Sequence, residues 1–165
     1  MLRNFRPLAL SLVILGLLLP MGASSTTSGT AFGAGFGHHP RYLHARSDLR
    51  AAWIILGYHD EPNVQRHCNA VRGEIAAAIR ELDNASVIDH KDIDDHPHVD
   101  TSLDRPGRFR KVFALLRSAR TDISEEEDNP RAIGWRDAAY RHIDGALDQL
   151  RRAARDLNID RIEGY

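Results

Sequence analysis

The sequence predicts an all-α protein, an antiparallel four-helix bundle made of two similar αα-hairpins and preceded by a signal peptide. Three observations point to this fold. Apolar residues recur every three or four positions in four separate segments, which is the spacing of one face of a helix. A proline stands at the start of each segment, where its missing N–H would have no helical partner. The second pair of segments also resembles the first pair in sequence.

Residues 1–33 are predicted to be a signal peptide followed by a flexible segment of small residues. Arg3 and Arg6 precede an apolar stretch from Leu8 to Leu19, and Pro20 and a run rich in Gly, Ser and Thr follow. This order of regions is typical of a secretory signal. The apolar core has about 12 residues and a membrane span needs about 20, so cleavage is favoured over retention as an anchor. We therefore expect a periplasmic or secreted protein without a permanent membrane span.

Charge and cysteine content narrow the class of protein further. The chain has 165 residues and a formal net charge of −1, and loss of Arg3 and Arg6 makes it two units more negative. This balance argues against nucleic acid as a partner and leaves a protein or an envelope component. Cys68 is the only cysteine, so no intrachain disulfide can form. Its position on an apolar helix face predicts a buried, unreactive thiol.

The first hairpin is predicted at residues 40–84. Its first helix follows Pro40 and stops at Gly57, and its second follows Pro62, with Asp60 as the N-cap. The core-facing positions of the first helix are Tyr42, Ala45, Leu49, Ala52, Trp53 and Leu56. Those of the second helix are Val64, Cys68, Val71, Ile75, Ala78, Ile79 and Leu82.

The second hairpin is predicted at residues 106–158, after a linker at 85–105. Its helices follow Asp104 with Pro106, and Asn129 with Pro130. The core-facing positions of the third helix are Phe109, Val112, Leu116, Ala119 and Ile123. Those of the fourth are Trp135, Ala139, Ile143, Ala146, Leu150, Ala153 and Leu157.

The two hairpins are similar in sequence. Residues 49–52, with the sequence LRAA, match residues 116–119, with the sequence LRSA, and the apolar positions of residues 70–82 and 138–150 fall in step. An internal duplication explains the match, and chance similarity between two amphipathic hairpins is the alternative. Because one hairpin cannot bury its apolar stripe alone, we expect the two to pack together.

The predicted linker carries a candidate metal site. The chain has nine histidines, and imidazole is a frequent ligand of transition metals. The residues that could bind Zn, Cu or Ni are His90, Asp95, His96 and His98. The alternative is a solvated acidic loop in which Asp95 and Pro97 shape turns.

A second group of polar residues flanks two of the helix stripes. His44 and Asp48 are four residues apart on the first helix, and His142 and Asp144 lie on the fourth. If these helices pack side by side, the four residues form a polar network that fixes helix register or holds a ligand or metal. The alternative is a set of ordinary surface or capping groups.

The sequence lacks the common catalytic signatures. It contains no H-E-x-x-H, no G-x-S-x-G, no P-loop and no C-x-x-C-H, and the paired Glu-x-x-His motifs of di-iron bundles are missing. We therefore expect no enzyme and no cofactor, but a binding or structural role in the cell envelope. A periplasmic protein that binds Zn, Cu or Ni through His and Asp is the alternative.

Three stretches resemble a group of small exported bacterial proteins of unassigned function. Residues 39–50 (HPRYLHARSDLR), 95–100 (DHPHVD) and 141–144 (RHID) are similar to the HPxYLHALSDLR-like, DDHPxVD-like and RHID-like motifs of that group. The resemblance implies a self-contained exported helical domain and adds no catalytic residue. Arg46 stands where the pattern usually has Leu, which argues against burial of this side of the first helix.

Overall fold

Four α-helices lie in the part of the chain that the computed structural model describes, residues 40–88, 97–100, 102–124 and 130–163. They are α1 (Pro40–Ile55), α2 (Pro62–Ile88), α3 (Arg105–Asp122) and α4 (Ile133–Asp156). These residues contain no strand, so the all-α prediction is confirmed. The helices belong to one compact unit, Ala34–Tyr165. None of the helices in the described ranges is long and apolar enough to cross a membrane.

Each helix packs against two others. The interface between α2 and α4 is the most extensive, α1 packs against α3, and smaller interfaces join α1 to α2 and α3 to α4. In cross-section the helices therefore follow the order α1, α2, α4, α3. As a result, α1 and α4 lie at opposite corners, and so do α2 and α3.

Contacts between helix ends give the helix directions. Arg105 and Arg108 at the start of α3 bind Asp60 in the turn between α1 and α2. The end of α1 therefore lies beside the start of α3. Nε2 of His67, near the start of α2, lies 3.8 Å from Oδ2 of Asp156 at the end of α4. Neighbouring helices thus run in opposite directions, and the α2–α3 linker has to travel the length of the bundle.

The predicted apolar stripes form most of the core, but two tryptophans are exposed and Ile79 and Leu157 are only partly buried. All the predicted core positions of α3 are buried, and Val71, Ile75 and Leu82 of α2 have no exposed surface. Trp53 and Trp135, which we predicted to face the core, are each 39% exposed. Successive helical residues point about 100° apart, so Trp53 cannot share the inward direction of the fully buried Ala52.

The helix boundaries differ from the predictions at two places. The second helix continues to Ile88 rather than 84, and Ala85 and Ser86 in the added turn are fully buried. The fourth helix begins at Ile133, because Pro130 initiates a turn that ends at the buried Ala132. A proline suits a tight turn as well as a first helical turn.

Candidate functional site

A groove runs along the outer face of the first hairpin, between α1 and α2. Its volume is about 470 Å³, and its walls are more apolar than polar. Ligand sites usually measure about 300–1,000 Å³. The residues that line this α1–α2 groove are Arg46, Arg50, Trp53, Ile54, Ala76, Ile79 and Arg80.

The groove exposes large apolar side chains to solvent. Trp53 is 39% and Ile54 is 37% exposed, and both lie on the last turns of α1. The guanidinium carbon of Arg72 on α2 lies 3.8 Å from the centroid of the Trp53 ring, which is a cation–π geometry. This contact holds the indole against α2, and Trp53 also lines the groove.

Arg46 gives the groove a buried positive charge. Its side chain is only 7% exposed, and its Nε donates a hydrogen bond to Asp83 on α2. The Nη1 of Arg46 is buried and has no hydrogen-bond partner among the described residues. An unpaired buried donor costs about 1–3 kcal/mol, so an acceptor supplied by a ligand would be stabilising.

The charges around the groove are mainly positive. Arg46, Arg50 and Arg80 line it, and no acidic residue does within the described chain. Asp83, which is bound to Arg46, lies outside the lining and offsets one of these charges. A ligand that carries carboxylates or other anionic groups is therefore favoured by charge complementarity.

His142 and Asp144 on α4 bind residues of two other helices. Nδ1 of His142 lies 2.8 Å from Oε2 of Glu74 on α2. Asp144 accepts a hydrogen bond of 2.5 Å from Nε of Arg120 on α3. Gly145 permits the close approach of α2, since a Cβ there would meet the carboxylate of Glu74 at 3.2–3.3 Å.

His44 and Asp48, the other half of the predicted polar network, lie on α1. His44 is exposed and Asp48 is half-buried. Because α1 and α4 occupy opposite corners of the bundle, the described structure does not bring His44 and Asp48 to His142 and Asp144. The condition for the four-residue network, that α1 and α4 pack side by side, is therefore not met.

Only one of the predicted linker ligands falls in the described residues. His90, Asp95 and His96 lie outside them. His98 is exposed and lines a second groove of about 230 Å³ together with Asp48 and Asp100. Within the described ranges, no three His, Cys, Asp or Glu residues come close enough together to hold a metal.

A charged cluster fastens the start of α3 to the α1–α2 turn. The carboxylate of Asp60 is 8% exposed and accepts hydrogen bonds from Arg105, at 2.6 and 3.2 Å, and from Arg108. The hydrogen bond from Arg105 holds the pKa of Asp60 below its usual value. Asp60 also accepts a hydrogen bond from the backbone N–H of Glu61. Since α2 begins at Pro62, Asp60 lies two residues before the helix and is not the N-cap that the sequence predicted.

Cys68 lies near this cluster and is buried, as predicted. Burial raises the pKa of its thiol, and the negative charge of Asp60 adds to the rise. Since the thiolate is the reactive form, this environment keeps the thiol unreactive.

Sequence analysis missed the α1–α2 groove. Arg46, Arg50, Trp53 and Ile54 follow one another at helical spacing along one side of α1, so a second, arginine-containing face was readable there. Arg46 also departs from the Leu of the resembling motif. We expected this departure to argue against burial, yet Arg46 is buried because Asp83 pairs with its guanidinium.

The fold and site define an all-α four-helix protein with an arginine-lined, partly apolar groove. Comparison of the chain with known protein families, curated proteins and solved structures gives no match.

Proposed function

We propose that this chain is an exported helical-bundle protein that works in the cell envelope by binding a partner, without catalysis. One observation carries the proposal, the exposed α1–α2 groove with its apolar walls and its arginines. A structural bundle has no need to leave Trp53 and Ile54 at the surface beside a buried guanidinium with an unused donor.

Export is part of the proposal and rests on the sequence of residues 1–33. Arg3, Arg6 and the apolar stretch Leu8–Leu19 have the order of a secretory signal. Fractionation of cells that express the full sequence tests this step. We expect a shortened chain in the periplasm or medium, and retention of the full-length chain in the cytoplasm would contradict export.

We also propose that the two hairpins are copies of one unit. Equivalent positions make equivalent contacts: Trp53 with Arg72 in the first hairpin corresponds to Arg120 with Tyr140 in the second. Likewise, the contact of Arg46 with Asp83 corresponds to that of Phe113 with Arg151. These contacts lie at equivalent positions in the two hairpins, although the types of the contacting residues differ.

The pair Glu74 and His142 supports the duplication independently. These residues are 68 positions apart and hold the same place in the two matched segments. Contact between equivalent residues occurs on a two-fold axis. An internal two-fold axis perpendicular to the helices accounts for this contact and for the pairing of α1 with α3 and of α2 with α4.

Site-directed photo-crosslinking in the exporting cell tests the binding role. A photoreactive residue replaces Ile54 in the groove, and the matched control replaces Arg152, which is exposed on α4. We expect a discrete cross-linked species from position 54 only. Identical patterns from both positions, or none from either, would contradict a binding role of the groove.

Metal binding through His and Asp is the second candidate function. It is favoured by the groove that Asp48, His98 and Asp100 line together. In the sequence, the other predicted ligands, His90, Asp95 and His96, precede His98 by two to eight positions. Titration of untagged protein with Zn, Cu and Ni tests it. Stoichiometric binding that His96→Ala or His98→Ala abolishes would favour this function, and a metal-independent melting temperature would contradict it.

A further inference from the structure

Residues 157–163, which follow α4, lie on the second hairpin. After α4 the backbone turns back, with positive φ of 52° at Asn158 and at Arg161. Ile162 is only 7% exposed and belongs to the core. Glu163 accepts a hydrogen bond of 2.7 Å from Nε of Arg151 on α4. A short segment with an aliphatic residue next to a carboxylate thus docks on this hairpin.

The α3 surface beside this segment has a counterpart in the α1–α2 groove. Ile162 and Glu163 line a depression with residues of α3 that include Phe113, Arg117 and Thr121. The internal sequence match places Arg46, Arg50 and Ile54 at these three positions in α1. All three line the α1–α2 groove, which the described residues leave open.

The open groove is more basic than its counterpart. Arg46 replaces Phe113, and Arg80 stands where the second hairpin has Asp148. The depression beside Ile162 and Glu163 is lined by Arg110, Arg117 and the acidic Asp122, and Arg151 binds Glu163. The α1–α2 groove is lined by Arg46, Arg50 and Arg80 and by no acidic residue among the described ones. Asp83, which stands where the second hairpin has Arg151, lies outside this lining and pairs with Arg46. An occupant that keeps the aliphatic residue and carries more carboxylates fits this change.

We infer that the α1–α2 groove binds a short acidic peptide segment of another protein, in which an aliphatic side chain adjoins carboxylates. The aliphatic side chain packs against Trp53 and Ile79, and the carboxylates accept hydrogen bonds from Arg46 and Arg80. This inference rests on the proposed binding function and names the chemistry of the partner. The docking of Ile162 and Glu163 is its precedent within the chain.

Trp53 provides the readout. Replacing the other tryptophan by Trp135→Phe leaves Trp53 as the only tryptophan, because the chain has two. The probe is a synthetic peptide that copies residues 157–163, with glutamate in place of Arg161, and it contains no tryptophan or tyrosine. Control peptides carry serine for both isoleucines, or Asn and Gln for the acidic residues.

We expect a saturable change in Trp53 emission with the acidic aliphatic peptide, and about tenfold weaker binding in Arg80→Glu, because a charge-assisted hydrogen bond is replaced by repulsion. Both control peptides should bind more weakly as well. The matched variant Arg152→Glu makes the same charge change on exposed α4 surface and should bind like the parent. Circular dichroism checks that each variant is folded.

Three results would overturn the inference. The first is that the acidic aliphatic peptide leaves Trp53 emission unchanged, or that it binds the parent and the Arg80→Glu variant with equal affinity. The second is an Arg80-dependent response to dodecanoate or phosphatidylglycerol vesicles but not to the peptide, in which case the groove binds an anionic lipid and the binding role stands. The third is a dimer in sedimentation that Arg80→Glu dissociates, which would make a second copy the occupant. If, in addition, a photoreactive residue at position 54 gives no discrete cross-linked species, the proposed binding function is refuted too.

Discussion

Gly107 shows how one atom can decide the start of a helix. Its backbone N–H donates a 2.7 Å hydrogen bond to Oδ1 of Asp104, the N-cap of α3. A Cβ at residue 107 would lie 2.6 Å from that same oxygen, which is too close for any real contact. We expect Gly107→Ala to displace the cap and to lower the free energy of unfolding by about 0.5–2 kcal/mol, the usual value of a cap. Urea denaturation measures this loss.

Gly73 is the matched control for this substitution. It lies within α2, and a Cβ there would meet nothing within 4 Å. Alanine costs less chain entropy in a helix than glycine does. Gly73→Ala should therefore raise the free energy of unfolding by about 0.5–1 kcal/mol. Equal effects of the two substitutions would show that the cap contact does not matter.

Asp60 should make stability depend on pH in the acid range. Its pKa is lowered in the folded state, chiefly by the hydrogen bond from Arg105, so its stabilising effect is complete above the unfolded pKa of about 4. The effect is lost as pH falls through the lower, folded pKa. We expect Asp60→Asn to cost about 1–3 kcal/mol at pH 7 and less towards pH 2.

Denaturation of Asp60→Asn and of the parent at pH 7, 4 and 2 tests this expectation. Asp160→Asn, an exposed position beyond α4, controls for the loss of one negative charge. A difference between Asp60→Asn and the parent that stays the same at all three values would contradict the role of the carboxylate charge.

The α1–α2 groove illustrates which site residues can be predicted from a sequence. The apolar stripe of α1 was readable because burial follows helical periodicity. The burial of Arg46 was not readable, since it depends on Asp83 reaching it from the next helix. Histidines and acids drew attention to the linker, whereas the α1–α2 groove is marked by two exposed apolar residues, Trp53 and Ile54.

At the scale of elements, Glu74 and His142 join the two helices with the largest interface. Both side chains are slightly more than one third exposed, at 36% and 37%. Pairs of this exposure are screened by water, so the coupling should be about 0.2–1 kcal/mol. A double-mutant cycle with Glu74→Ala and His142→Ala, followed by urea denaturation, measures it. Glu74→Ala combined with His98→Ala is the control and should be additive, and an equal coupling there would contradict a direct contact.

Helix positions were more predictable than helix ends. The core positions of α3 follow from the spacing of Phe109, Val112 and Leu116, and all three are buried. The ends depend on local competition: Asp104 caps α3 with its side chain, whereas α4 starts without a side-chain cap. Burial of Ala85 stabilises the extra turn of α2. The acidic residues that follow in the sequence indicated a linker, so this turn was not predicted.

At the scale of the whole molecule, the sequence predicted four amphipathic helices but could not determine which of them are neighbours. An apolar stripe shows which side of a helix is buried and leaves the choice of partner open. The polar network of His44 and His142 depended on α1 lying beside α4. The arrangement instead joins α4 to α2 and α3, so His142 binds Glu74 and the four residues separate into different contacts.

This arrangement predicts how the two hairpins depend on each other. The largest interfaces, α2 with α4 and α1 with α3, both join one hairpin to the other. A separate hairpin would expose the stripes that these interfaces bury, and an isolated pair of helices gains little from helix propensity alone. We expect residues 34–101 and 102–165, made as separate chains, to lack a cooperative thermal transition by circular dichroism. An equimolar mixture should recover the helicity and the transition of the intact protein.

Ile143 provides the control for reassembly, because it is fully buried on α4. Ile143→Asp in the second fragment should prevent recovery, since a carboxylate at that position would lose its hydration without gaining a partner. A hairpin that melts cooperatively as a monomer would mean that the interfaces within each hairpin suffice for folding. The proposed duplication accounts for this mutual dependence, because both large interfaces, α2 with α4 and α1 with α3, join one proposed copy to the other.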